Sequence, residues 1–260
     1  MTLADERENP LEQPRLYSPL LHRRRYAIAR RHARGAVLDL ACGLGYGASL
    51  LNGDGRLTYT GADVDAESVR SAAREFGRFG RFLALDGNRP LPFDDETFDT
   101  VCSLETIEHL EREAQAAFFA ELVRVLRPGG RLVISTPNRD WPTKALWRRR
   151  GWTNPFHKHE FSRGEFRAFV AAAAGDRLRV AREYPLGFAL QITALPRLLA
   201  DAVRRRPACS AGGRPRTEAP SRRRRAATWL AGMVNGLDLA LGRLTPDACN
   251  SLCVVLEKLR

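Results

Sequence analysis

An apolar run, Val37-Leu38-Asp39-Leu40, passes directly into Ala41-Cys42-Gly43-Leu44-Gly45-Tyr46-Gly47. A strand that ends on glycines and turns at once into a helix restricts the fold more than any other feature of this chain. Glycines let the backbone approach a ligand closely, and the carboxyl end of such a strand opens onto a crevice. Taken alone, the turn fits either a simple tight turn or a dinucleotide site. Two details argue for something else. The spacing is GxGxG rather than GxGxxG, and Asp39 sits at the end of the strand. A pyrophosphate needs the helix N-terminus for its anionic oxygens, and a neighbouring carboxylate would oppose it. Asp39 suits a ligand that carries positive charge.

Strand and helix patterns then alternate along the chain. Strands are predicted at 36–40, 58–62, 80–84, 98–103, 130–135, 177–184 and 251–259. Helices are predicted at 46–52, 66–76, 112–126 and 163–174. This alternation predicts an α/β fold with a mainly parallel sheet covered by helices. A first helix over 16–34, with Leu20, Leu21, Tyr26, Ala27 and Ile28 as its apolar positions, ends at Gly35. Pro128-Gly129-Gly130 reads as a turn between helix and strand. The regularity breaks after residue 186. Three units follow from this: an N-terminal helical cap over 1–35, a main domain over 36–186 and 249–260, and a helical insertion over 187–248 before the last strand.

Composition narrows the function. With 44% hydrophobic residues the chain can bury a full core. No stretch reaches the roughly 18–20 apolar residues of a membrane span, and Met1–Leu11 lacks the basic start and apolar centre of a signal peptide. A cytoplasmic protein is expected. Cys42, Cys102, Cys209, Cys249 and Cys253 are odd in number and irregular in spacing, which argues against a disulfide framework. Cys249 and Cys253 form one pair with no second half, so no metal site is expected. Of the net charge of +12, residues 204–225 carry +8 through nine arginines and one glutamate. That tract contains no aromatic residue and reads as a solvated loop rather than a nucleic-acid surface.

Two more acidic residues follow predicted strands. In Gly61-Ala62-Asp63-Val64-Asp65, Asp63 lies at the strand end, where a carboxylate can accept both hydroxyls of a ribose. Asp65 reads as the cap of the next helix. In Leu85-Asp86-Gly87, Asp86 can accept from an adenine amino group, although Asp-Gly also makes an ordinary turn.

The order of Asp39–Gly47, Asp63, Asp86, Pro90-Leu91-Pro92-Phe93, Phe98-Asp99, Glu105-Thr106-Ile107-Glu108-His109-Leu110 and Leu126-Arg127-Pro128-Gly129-Gly130 resembles the class I S-adenosylmethionine (SAM) dependent methyltransferases. The resemblance covers residues 20–186 and the final strand. It implies a Rossmann-like seven-stranded sheet, mostly parallel, with the last strand antiparallel. It implies SAM as cofactor. Gly43 and Gly45 would face its methionine part, Asp63 and Val64 its ribose side, and Asp86 and Gly87 its adenine. Ser103 and Leu104 would supply backbone contacts to the amino acid moiety. Ala41 stands where the family has the first glycine of its loop. Arg25 and Tyr26 either close over the SAM carboxylate or are ordinary surface-helix residues.

His22-Arg23-Arg24-Arg25-Tyr26, Ser135-Thr136-Pro137-Asn138 and Asn154-Pro155-Phe156-His157-Lys158-His159-Glu160-Phe161 resemble bacterial methyltransferases of polysaccharide and secondary-metabolite sugars. That implies O-methylation of a sugar or glycosylated small molecule. Other readings are methylation of a quinone or natural-product hydroxyl, or of an amine. RNA binding comes last. A sugar hydroxyl is a weak nucleophile near neutral pH, so His157 or His159 is expected to assist its deprotonation. His109 is a second candidate for that role but is rather expected to orient the loop under the cofactor, and His22 and His32 are expected to be solvated. The 187–248 insertion is expected to form a lid or a homodimer contact, with a peripheral membrane contact beside anionic lipid as the sharper reading.

Overall fold

The structure is a computed structural model and describes residues 18–141, 144, 154–187, 247 and 249–259. Helix α1 (Ser18–His32) precedes strand β1 (Ala36–Leu40) and helix α2 (Tyr46–Leu51). Then come β2 (Thr58–Asp63), α3 (Ala66–Phe76), β3 (Arg81–Ala84), β4 (Phe98–Leu104) and α4 (Arg112–Arg124). The chain continues through β5 (Leu126–Pro137), α5 (Arg163–Ala174), β6 (Leu178–Leu186) and β7 (Ser251–Lys258). The strands form one seven-stranded sheet in the order β3-β2-β1-β4-β5-β7-β6. The pairs β1–β2, β2–β3, β1–β4 and β4–β5 are parallel. Only β7 runs against its neighbours, pairing antiparallel with both β5 and β6.

The side-chain period of the strands builds two cores. Leu38 and Leu40 of β1 pack with Leu132 and Ile134 of β5 against Phe118, Phe119 and Leu122 of α4 and Phe166 of α5. Val37, one position out of phase, joins Val133 and Val255 on the other face, against Tyr26, Ile28 and Ala29 of α1 and Leu51 of α2. The helices present apolar stripes of matching period. Leu21, Arg25, Ile28 and Ala29 are the buried line of α1, whereas Ala27 faces solvent. Asp65 caps α3 by accepting from Glu67 N and Ser68 N, and Ser162 closes a capping box with Glu165 at α5.

One sequence expectation changes. Pro128-Gly129-Gly130 lies inside β5 rather than before it. Leu126 already pairs with Phe98, and Arg131 pairs with Thr100, so the residues between them bulge out of the ladder with Gly129 at φ +74°. The 187–248 insertion, including the arginine tract, lies outside the described residues apart from Gly187 and Asp247. Among the described residues no helix is long and apolar enough to cross a membrane.

Candidate active site

From β1 the chain winds outward through β2 to β3, then returns to β4 on the other side of β1. The loops leaving β1 and β4 therefore part in opposite directions, and a crevice opens between them. It holds a cavity of about 540 Å³, within the range of a small-molecule site. Its walls include Arg25 and Tyr26 from α1, Leu40 to Leu44 after β1, and Asp63 and Val64 after β2. Asp86 and Gly87 after β3, Leu104 to Thr106 after β4, and then Glu108, His109 and His157 complete them.

The glycine turn is a left-handed staircase: Ala41, Gly43 and Gly45 have φ of +65°, +55° and +76°. The two glycines serve different ends. A Cβ on Gly43 would meet nothing within 4 Å, so that position borders open crevice. A Cβ on Gly45 would collide with Ala72 of α3 and Phe82 of β3. Gly45 thus faces packing rather than the crevice. Asp63, 4% exposed, ties the two loops together. Its Oδ2 accepts from Gly43 N at 2.8 Å and its Oδ1 from Asp65 N at 3.0 Å. Val64 is 60% exposed, an apolar surface on the crevice wall. Asp86 Oδ1 accepts from Asn88 N and Nδ2, which sets the turn after β3.

Asp39 does not line the crevice. It sits on the Val37 face of the sheet, and its Oδ2 accepts from Tyr26 Oη at 3.1 Å and Tyr59 Oη at 2.8 Å. Burial pushes its carboxyl up to about 6, against the pull of the two tyrosine hydrogen bonds. The folded chain therefore holds this proton more tightly than the unfolded chain, whose value is the ordinary 3.8. The resulting stability is present in full below 3.8 and is lost as pH rises through 6. Between pH 7 and pH 4 the wild-type protein should gain about 2–3 kcal/mol relative to Asp39→Asn. Denaturant unfolding of both proteins at the two pH values checks this, and a difference that is flat with pH would refute it.

Arg25 is 4% exposed and pairs with Glu105 at 2.7 Å. Glu105 is a residue that sequence reasoning missed. It stands at φ +54°, and its Oε1 accepts from Ser135 Oγ at 2.8 Å and Ser251 Oγ at 3.0 Å. One carboxylate thereby joins α1, β5 and β7 at the cavity wall. Tyr26 packs its ring over Gly47, where a side chain could not fit. His22 is not solvated as expected. Its Nδ1 meets Tyr46 Oη at 2.7 Å, and burial, with Arg25 nearby, pushes it down to about 4. His32 likewise pairs with Tyr184 Oη at 2.9 Å.

The two expected catalytic histidines part company. His157 borders the crevice. Its ring lies 5.0 Å from that of His109 in edge-to-face contact, and its Nδ1 meets Glu160 Oε1 at 2.6 Å. Burial disfavours the charge on Glu160, but the hydrogen bond from His157 and the charge of Lys144 hold it down at about 2. His159 packs on Phe161 at 4.7 Å and is not part of the crevice wall. Ser103, fully buried, is also outside it, while Leu104 lines it. Glu108 is fully buried behind His109. Its Oε2 accepts from Thr136 Oγ1 at 3.1 Å. Burial, followed by the nearby Glu105 charge, drives its carboxyl well above the usual range.

Residues 38–134 match the family described as "Methyltransferase domain". A probable S-adenosylmethionine-dependent methyltransferase of Mycolicibacterium smegmatis is 37% identical over 154 residues, 56% of this chain and 54% of that protein. A fatty-acid O-methyltransferase of the same organism is 34% identical over 134 residues, covering 48% of this chain and 47% of that one. The chain spans about half the length of the curated relatives it matches. The crystal structure of a SAM dependent methyltransferase from Archaeoglobus fulgidus aligns with TM-score 0.59 at 15% identity, over 92% of this chain and 93% of the other. A sheet of this order, with β7 alone reversed and a glycine turn after β1, is the Rossmann-like methyltransferase fold. Together with the matched span, it makes the described body similar to the class I SAM-dependent methyltransferases.

Proposed function

We propose that this protein transfers the methyl group of SAM to an oxygen of a small acceptor. The observation that carries this is the division of the crevice. One end has the open Gly43 backbone, Asp63 and the exposed Val64, which fit a nucleoside and its amino acid tail. The other has His109, His157 and Leu110, which suit a polar acceptor on an apolar floor. In this reading Asp63 accepts the ribose hydroxyls, Asp86 with Gly87 borders the adenine, and Ala41, Gly43 and Leu104 face the methionine part. Arg25 and Tyr26 close that end. SAM supplies the activated methyl carbon. The chain's own task is alignment, holding the acceptor oxygen about 3–3.5 Å from that carbon, in line with the breaking bond. His157, at the cavity wall, is assigned to the acceptor side in preference to His159.

A sugar hydroxyl, free or on a lipid-linked glycan, is the acceptor we favour. An oxygen on a lipid is the second reading, supported by relatives named as a fatty-acid O-methyltransferase and a phthiotriol/phenolphthiotriol dimycocerosates methyltransferase. Purified protein incubated with methyl-tritiated SAM and separate pools of nucleotide sugars, glycolipids and fatty acids tests both. Label in a sugar fraction is expected. Label in the fatty acids alone selects the second reading. Protein that binds SAM yet labels none of these pools overturns both acceptors. His157→Ala should lower turnover at least tenfold with SAM affinity unchanged, while His159→Ala should leave turnover within about twofold.

A further inference from the structure

Glu108, His109 and His157 each present a ligand atom, and these atoms lie within 4.8 Å of one another. We propose that these three residues bind one divalent transition-metal cation, such as zinc or manganese, at the acceptor end of the crevice. Three features of the surroundings support a built site. First, both rings are oriented from behind. His109 Nδ1 meets the Phe156 carbonyl at 3.2 Å, and His157 Nδ1 meets the Glu160 carboxylate at 2.6 Å. Each Nδ1 faces an acceptor, so Nε2 is the ring nitrogen that would meet the cation. An oxygen behind each ligand ring is the usual outer shell of a metal-binding histidine.

Second, Glu108 is fully buried and its Oε1 has no hydrogen-bond partner. A buried carboxylate oxygen left without a partner is costly, and a cation would satisfy it. Third, the backbone holds the parts in register. The N–H groups of Lys158 and His159 both donate to the Glu108 carbonyl, at 2.8 and 3.2 Å. The loop bearing His157 is thereby sewn to the short helix Ile107–His109 that bears the other two ligands. Two imidazoles and one carboxylate favour a transition metal over magnesium or calcium, which prefer all-oxygen shells. The remaining coordination positions would open onto the crevice.

The role of the cation rests on the methyltransferase reading, whereas its binding does not. An acceptor hydroxyl bound to it loses its proton to solvent more readily. The oxygen lone pair then forms the new bond to the methyl carbon as the carbon–sulfur pair returns to sulfur.

The test uses the full chain, stripped with a chelator and titrated by calorimetry with zinc or manganese chloride alone, and separately with SAM. One cation per chain is expected, with affinity at least tenfold weaker in Glu108→Gln and in His157→Ala and with SAM affinity retained. Glu108→Gln keeps the buried shape, and His157→Ala alters a half-buried loop position, so one variant covers a folding failure of the other. SAM binding without cation binding overturns the metal site and leaves the methyltransferase reading standing. Cation binding without SAM binding does the reverse. Cation affinity unchanged in both variants overturns the assignment of these ligands.

Discussion

Replacing Asp63 by alanine should weaken SAM binding at least a hundredfold. The carboxylate is buried, and it holds two loops at once through Gly43 N and Asp65 N. Alanine leaves two backbone donors without their acceptor, at about 1–3 kcal/mol each. It also removes the acceptor that our reading assigns to the ribose. Relaxation of Gly43 matters as much as the lost contact, because the crevice floor is backbone there. Asp63→Asn, which keeps one acceptor oxygen, should fall between the wild-type protein and the alanine variant. Calorimetric titration with SAM, paired with a thermal melt without it, separates affinity from stability. An alanine variant whose affinity stays within threefold of the wild-type value would remove Asp63 from the cofactor site.

The second large effect concerns two glycines two positions apart. Gly45→Ala should lower stability by about 2–5 kcal/mol. The added methyl would overlap the Ala72 side chain and lie 2.8 Å from Phe82 Cε1, on a backbone at φ +76°. Overpacking costs about 1–3 kcal/mol, and a left-handed alanine adds about 1–2 kcal/mol. Against a typical domain stability of about 5–15 kcal/mol, that is a serious loss. Gly43→Ala meets no neighbour. Only the strain at φ +55° remains, about 1–2 kcal/mol, so its melt should shift less than that of Gly45→Ala while its SAM affinity falls, because the methyl projects into the crevice. Equal loss of stability in both variants would contradict this division. Ala41 shows that the turn already tolerates one left-handed alanine, at φ +65°.

Much of the crevice wall after β1 and β2 was legible because its signals are local. The run from Val37 to Gly47 names a strand, a turn and a helix within one stretch, and Asp65 announces the cap of α3 two residues after Asp63. Asp39 misled for a physical reason. Its place at a strand end pointed to the crevice, but the period of the strand turns it to the Val37 face, where Tyr26 and Tyr59 take its oxygen. Nothing near Asp39 in sequence marks those tyrosines. Gly45 was read as a cofactor contact because the spacing of a glycine turn does not tell which glycine faces ligand and which faces a helix. The rest of the crevice wall is made of distant partners: Arg25 with Glu105, and Glu108 and His109 with His157. Only the closed sheet brings them together, so spacing alone could not pair them. The arrangement of β5 with its bulge was hidden likewise, since Pro128-Gly129-Gly130 carries the same residues whether the chain turns or bulges.

The antiparallel strand β7 has a kinetic consequence. It is the sheet neighbour of β6, yet residues 187–250 separate the two in sequence. A chain emerging from the ribosome can pair β1 through β5 as each strand appears, but β6 must wait for the final strand. Long-range pairings of that kind slow folding. The delay reaches the crevice too, because Ser251 at the start of β7 donates to Glu105, the partner of Arg25. Until the final strand docks, that carboxylate lacks one of its anchors. Anchoring of the site is thus tied to the docking of β7, and nascent chains stalled before residue 251 should hold a loosened wall where chains with β7 in place hold a fixed one.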